Sequence, residues 1–258
     1  MSAYYQLISS NIDEQGTKTS HYRSLIHTQG AWNPHEQHMA PASGVMAAEL
    51  EQFQPRSDMR IARLSYDIFG LISYGDFSIT TRIIRPGRTI ELLEAEMVAN
   101  DKICIVVRAW RLAIQDSSAI AALEDQPVAH PDTLNPWDGM QRWPGGYIKS
   151  FTAKKDKNHR PGKGIVWLRN NKSMVEDHPS DFVRLMGMVD TANGVAPRQK
   201  NEFTWAFPNL DLQIHLYRYP TGQWLGLETT QQYGTDGIGL TSSVLHDVHS
   251  PFGNAEQI

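Results

Sequence analysis

The first residue of this chain that could do chemistry is a carboxylate set in an apolar strand pattern. Leu210, Leu212, Ile214 and Leu216 alternate with Asp211, Gln213, His215 and Tyr217, the period of two of a strand with one buried face. Asp211 lies on the face opposite the leucines. There it reads either as a general base, which needs a water within about 3 Å, or as an exposed strand carboxylate or turn partner. Ten histidines invite a metal reading. His35 and His38 are three apart with only Glu36 between them as a carboxylate, and no His-Glu-x-x-His run occurs, so no zinc-hydrolase helix is written here. His246-Asp247-Val248-His249 fits a solvated loop better than a ligand set, and no metal is expected. Pro161-Gly162-Lys163-Gly164 lacks the spacing of a phosphate-binding loop. The single cysteine, Cys104, sits in Ile103-Cys104-Ile105-Val106-Val107. A buried strand there would raise its thiol pKa and make it inert. One cysteine also excludes an internal disulfide and a cysteine-based zinc site.

The elements that must position such groups fall into two halves, each a helix followed by strands. In the first, Ala42, Val45, Met46, Leu50 and Phe53 lie along one helical face, which Pro55 ends. Phe77, Ile79, Thr81 and Ile83 then alternate with polar residues, Arg85-Pro86-Gly87-Arg88 turns, and Leu93, Ala95 and Met97 give a half-exposed strand. Ile103 to Trp110 is apolar on both faces and predicts a central strand. A stretch at 115–145, with Pro127, Pro131, Pro136 and Pro144, reads as a surface linker. In the second half, Pro179-Ser180 opens a helix with Phe182, Leu185, Met186 and Val189 on one face, and Asn193-Gly194 ends it. Strands follow at Leu210 to Leu216, Trp224 to Gln232 and Leu240 to Leu245. His246 to Gly253 reads as a loop before a last strand at Asn254 to Ile258. The expected organisation is one unit at 1–114, a linker at 115–145 and a second unit at 146–258.

The 258 residues are 40% hydrophobic and 20% charged, enough to build a core and too apolar for wholesale disorder. A formal net charge of -4 argues against nucleic acid or an anionic membrane surface as the main partner. No apolar run is long enough to span a membrane, and no secretory signal pattern opens the chain, so a cytoplasmic protein is expected.

Four stretches in order resemble the double-hotdog acyl-CoA thioesterases related to bacterial acyl-CoA thioesterase II. They are Gly30-Ala31-Trp32-Asn33 with Gln37-His38-Met39-Ala40-Pro41 and its helix; Thr81 to Arg88 with Glu94-Ala95 and Ala109-Trp110-Arg111-Leu112; Leu210 to Leu216 with Gly222-Gln223-Trp224-Leu225; and Gly239-Leu240 through Leu245-His246-Asp247 to Phe252-Gly253-Asn254-Ala255-Glu256-Gln257. The resemblance implies an α+β double hotdog, two antiparallel sheets each wrapped around a long helix. It also implies a hydrolase of fatty acid metabolism that cleaves acyl-CoA with a water held by an Asp, a Thr or Gln, and a Gln of the second unit. Asp211 matches the aspartate and Gln257 the late glutamine, and an ungapped count from Trp224 puts the third residue at Gln232, with Thr230 on the same strand face. His38 precedes a helix whose N-terminal N–H groups could polarise the thioester; relatives often carry His-Gly-Gly-Pro where this chain has His38-Met39-Ala40-Pro41. His38 and Thr230 are therefore expected to touch substrate. The cluster Lys154, Lys155, Lys157, Arg160 and Lys163 reads as a solvated face or as a contact for coenzyme A phosphates. No cofactor is implied, coenzyme A being part of the substrate, and a homo-oligomer stays open. Two other readings use the same fold: a protein that binds acyl-CoA or lipid without turning it over, and a hydratase or dehydratase. The latter needs a His with an Asp or Glu, and no such pair stands out in the sequence.

Overall fold

A computed structural model describes residues 3–31, 33–176, 178–198 and 208–258. Thirteen strands form one continuous sheet: β1 (Tyr5–Ile12), β2 (Lys18–Ser24), β3 (Met59–Ile68), β4 (Asp76–Arg85), β5 (Ile90–Ala99), β6 (Lys102–Ala113), β7 (Asn135–Pro136), β8 (Phe151–Lys155), β9 (Lys163–Asn170), β10 (Asp211–Leu216), β11 (Trp224–Tyr233), β12 (Gly239–His246) and β13 (Pro251–Gln257). The helices are α1 (Met39–Gln52), α2 (Asp181–Val189) and the single turn α3 (Ala192–Val195). The order across the sheet is β1-β2-β4-β5-β6-β3-β10-β13-β12-β11-β9-β8-β7. The repeat is visible in that order. One half runs β2, α1, β3, β4, β5, β6 along the chain and β2-β4-β5-β6-β3 across the sheet. The other runs β9, α2, β10, β11, β12, β13 and β9-β11-β12-β13-β10, the same permutation.

The expectation of two separate sheets, each around a long helix, is corrected on two points. β3 and β10 pair antiparallel, from Asp211 opposite Asp67 to His215 opposite Arg63, so the halves share one sheet. Of the two core helices only α1 is long. α2 has nine residues. The predicted central strand is β6, hydrogen-bonded on both sides by β5 and β3. Its Cys104 is buried, with the thiol pKa pushed up by burial.

α1 is buried on every side from Met39 to Leu50, not along one stripe, because it packs on its own sheet at β4 and β5 and against α2 on the other side. A helix enclosed all round needs no amphipathic pattern. Its one buried charge, Glu49, is held by Lys18 Nζ at 2.9 Å and by the Tyr22 hydroxyl. The helices cross glycine on glycine. A Cβ on Gly44 would lie 2.8 Å from the Gly187 Cα, a distance that backbone cannot relieve without moving a helix. Gly44→Ala should therefore cost about 1–3 kcal/mol of stability, an overpacking penalty, read as a lower urea midpoint. A change within error would show the crossing to be loose.

The stretch expected to be a linker crosses the outer side of the second half's sheet and adds the short edge strand β7 to it. The carbonyl of Ala129 accepts from Trp167 Nε1 at 2.9 Å, and that of Pro131 from Lys154 Nζ at 2.8 Å. No helix of the described residues is long and apolar enough to cross a membrane.

Candidate active site between the two helices

Because α1 and α2 run antiparallel, the start of α1 meets the end of α2. The residue that ends α2 is Asp190, its C-cap. It lies eight positions after Phe182, on the same buried stripe as Leu185, Met186 and Val189. The chain then turns through Thr191, whose N–H and hydroxyl both reach the Met188 carbonyl, and enters α3. Asn193 and Gly194, expected to end the longer helix, lie inside α3.

Asp190 is 3% exposed and clamped. Its Oδ1 accepts from Gln257 Nε2 at 2.9 Å and from Asn209 Nδ2, and Asn209 Oδ1 accepts in turn from Asn193 Nδ2. Its Oδ2 lies 3.4 Å from His38 Nδ1. His38 is the N-cap of α1, and that same Nδ1 accepts the Ala40 N–H at 3.0 Å. This assigns the ring proton to Nε2. Burial drives His38 down to about 4, so the ring is neutral at pH 7 and the contact is not an ion pair. Burial pushes Asp190 up to about 7, against the two amide donors that favour its charged form. The carboxyl thus divides between acid and carboxylate near neutrality, as a proton-transferring group requires.

Beyond the two amides that hold this carboxyl lies a cavity of about 300 Å³, whose wall includes Asn193, Asn209, Leu210, Ile238, Thr241 and Gln257. Gln257 comes from β13 and lies opposite Thr241 of β12. Among the described residues its buried Oε1 has no hydrogen-bond partner, and neither has the Oε1 of Gln231. Unpaired buried carbonyls are costly, and a bound molecule with donors would satisfy them.

Of the residues expected from the sequence, the structure brings Gln257 and His38 to Asp190 and leaves the other three elsewhere. Asp211 sits on the sheet face away from the helices, opposite the buried Leu212 and Ile214. Its Oδ1 accepts the Ile258 N–H at 2.9 Å, and with the Leu210 N–H to Ile258 carbonyl bond of 3.0 Å it sews the last residue to β10. Gln232 is exposed, and Thr230 lines a shallow groove on the outer face with Lys163, Glu228 and Ser242. Leu225, Leu227, Thr229 and Gln231 carry the inward parity of β11, so Gln231, not Gln232, faces the core. Asp190, Asn209, Asn193 and Gln231 were not singled out by sequence reasoning. The available signal was a carboxylate on an apolar helical stripe, which only a buried function keeps.

A fold of this kind is the hotdog, doubled in one chain and joined edge to edge. Its resemblance to known structures is close in shape and remote in sequence. A conserved protein with the hotdog fold from Alicyclobacillus acidocaldarius superposes with a TM-score of 0.75 at 11% identity, covering 96% of this chain and 94% of that one. An acyl-CoA thioesterase II from Mycobacterium marinum gives a TM-score of 0.64 at 14% identity, covering 96% and 92%. The dehydratase domain of RzxB from Pseudomonas fluorescens gives 0.60 at 11%, covering 98% and 96%. At such identities these likenesses establish the fold alone. The family is set by sequence profiles: the acyl-CoA thioesterase N-terminal domain matches residues 28–112 and the C-terminal domain residues 123–258. The chain belongs to the acyl-CoA thioesterase family. A search of curated proteins found no match to it.

Proposed function

We propose that the chain hydrolyses an acyl-CoA thioester at the Asp190 junction, releasing a fatty acid and coenzyme A. The observation that carries this reading is a buried carboxyl poised near neutrality and clamped by two amides that also line a cavity. Water between Asp190 and the Gln257 carbonyl attacks the thioester carbon and gives its proton to Asp190 Oδ2. The positive end of α1 faces the same spot and favours charge growing on the thioester oxygen. Collapse breaks the carbon–sulfur bond, and the proton returns from Asp190 to the departing thiolate. The three roles implied for an Asp, a Thr or Gln, and a Gln thus fall to Asp190, Asn209 and Gln257.

One observation favours a second reading. The His–Asp pair that dehydration of a β-hydroxyacyl thioester would use is present as His38 and Asp190. Against it, Nδ1 is occupied by the Ala40 N–H and Nε2 carries the proton, which leaves the ring no free base for removing a carbon-bound proton.

Thiol release from acyl-CoA, followed beside enoyl absorbance, separates the readings. Hydrolysis predicts free thiol and no enoyl product. Enoyl product without thiol would replace it with dehydration, and tight binding with neither product would make the chain a carrier. In the same assay Asp211→Asn should keep its turnover within about twofold, since that carboxylate only holds the Ile258 N–H and the Gln213 amide. Its cost should be one hydrogen bond, about 0.5–1.5 kcal/mol of stability. A loss of turnover of orders of magnitude would return the base to β10.

A further inference from the structure

The hydrolytic reading uses the unpaired buried Gln257 Oε1 and leaves that of Gln231 unexplained. Gln231 is 0% exposed and Thr241 4%. They face the helices from adjacent strands and are joined by a long Gln231 Nε2 to Thr241 Oγ1 bond of 3.4 Å. The Gln231 amide is anchored by a second bond, Nε2 to the Asn193 carbonyl at 2.7 Å. Its carbonyl oxygen has no partner among the described residues. The Thr241 hydroxyl is held loosely: its bond to Asn193 Oδ1 is 3.5 Å, at the limit of what counts as a hydrogen bond. Thr241 and Asn193 both line the cavity at Asp190. A pocket built only for saturated hydrocarbon would put aliphatic side chains at these places, since every buried amide or hydroxyl without a full set of partners is a cost.

From this polar wall we infer that the enzyme selects an acyl group carrying a hydroxyl close to the thioester, received by Thr241 with Gln231 positioning it. The inference rests on the hydrolytic reading and narrows its substrate. A substrate hydroxyl in the cavity can accept from or donate to Thr241 Oγ1, which Gln231 Nε2 holds from behind. The apolar residues of the same cavity, Leu210, Ile238 and Ile258, accommodate the rest of the chain. Gln231 and Thr241 are not among the three side chains given chemical roles above. They set which acyl group is presented.

The test measures kcat/KM by thiol release for α-hydroxyacyl-CoA, β-hydroxyacyl-CoA and the unsubstituted acyl-CoA of the same length. At least one hydroxylated substrate should exceed the parent by about tenfold, the value of one well-made hydrogen bond. In Thr241→Val, which keeps the shape and removes the hydroxyl, that ratio should fall towards one, and Gln231→Leu should lower it as well. Equal values for all three substrates in the unaltered protein would overturn the inference while leaving the hydrolysis intact. So would a ratio that survives Thr241→Val, because a preference not carried by this wall has another source. No thiol release from any substrate is the separate failure of the hydrolytic reading. Where Thr241→Val folds poorly, Gln231→Leu decides, and a ratio that it leaves unchanged overturns the inference.

Discussion

Asp190→Asn should lower kcat for thioester hydrolysis by about a thousandfold or more while leaving the fold intact. General-base assistance alone is worth roughly 10²–10⁴-fold. The variant is informative because asparagine keeps the surrounding bonds. Its Oδ1 can still accept from Asn209 and Gln257, and its Nδ2 replaces the protonated Oδ2 at nearly the same size. The pH dependence gives the second half of the expectation. In the unaltered enzyme kcat/KM should rise as Asp190 ionises, through an apparent pKa of about 7, and level off above it. In the variant that limb should vanish. Stability should run the other way. Asp190 has a folded pKa raised above its unfolded value of about 3.9, so its favourable contribution is complete below that value and is lost as pH rises through about 7. Thermal melts of the two proteins should agree near pH 4 and separate in favour of the variant up to pH 7, with no further change above it. A variant that keeps its turnover, or one that melts earlier than the unaltered protein at pH 8, would remove Asp190 from the role given to it.

Arg111→Met should destabilise the protein by about 3–5 kcal/mol, the cost of leaving one member of a buried ion pair behind. Arg111 and Glu91 lie directly opposite each other on β6 and β5. Both side chains are almost wholly buried, with Arg111 Nε donating to Glu91 Oε2 at 2.8 Å. The same guanidinium reaches beyond the sheet. Its Nη1 donates to the carbonyls of Phe53 at 3.2 Å and Gln54 at 3.1 Å, where the chain leaves α1 through the positive φ of Gln54. One substitution therefore strands a carboxylate and frees the end of the core helix. Urea unfolding measures the loss. Adding Glu91→Met should recover most of it, because replacing both partners with apolar side chains removes the stranded charge. A single variant within 1 kcal/mol of the unaltered protein, on the scale of an exposed pair, would show that water reaches the site.

Much of the fold was written in alternation, and what escaped reading lacked it. β4, β5, β10 and β11 bury every second residue along most of their length and were legible, while β6 was legible as an unbroken apolar run. β1 buries only Tyr5 at its start, so no period marks it, and β2 buries Ser20 and Ser24 beside Tyr22, residues too small and polar to register. β9 places Gly164 and Asn170 on its inner face and covers Trp167 from outside, which blurs the contrast between its faces. Gln257 was legible at the site because it closes a recognisable run. Asp190 was not, because a helix pattern ending at Val189 hides the charged residue that continues its stripe. The β11 residues show the penalty of a one-place error. Strand faces exchange at every step, so counting to Gln232 chose an exposed side chain over the buried Gln231. Asp211 carried the right chemistry on the wrong face, where the pleat turns it away from both helices.

The antiparallel crossing of α1 and α2 has a counterpart at its other end. There Glu51, on the last turn of α1, accepts from the Ser180 hydroxyl at 3.1 Å and the Tyr219 hydroxyl at 2.7 Å, with His178 Nε2 3.3 Å away. Burial pushes its pKa up, but those bonds together outweigh burial and lower it, the reverse of Asp190. In an assembly of two identical chains such junctions would be copies, and any substitution would alter both. Fusion into one polypeptide releases them from that constraint. One end could keep a carboxyl that trades its proton while the other settled into a permanently charged brace, each free to diverge without disturbing its twin.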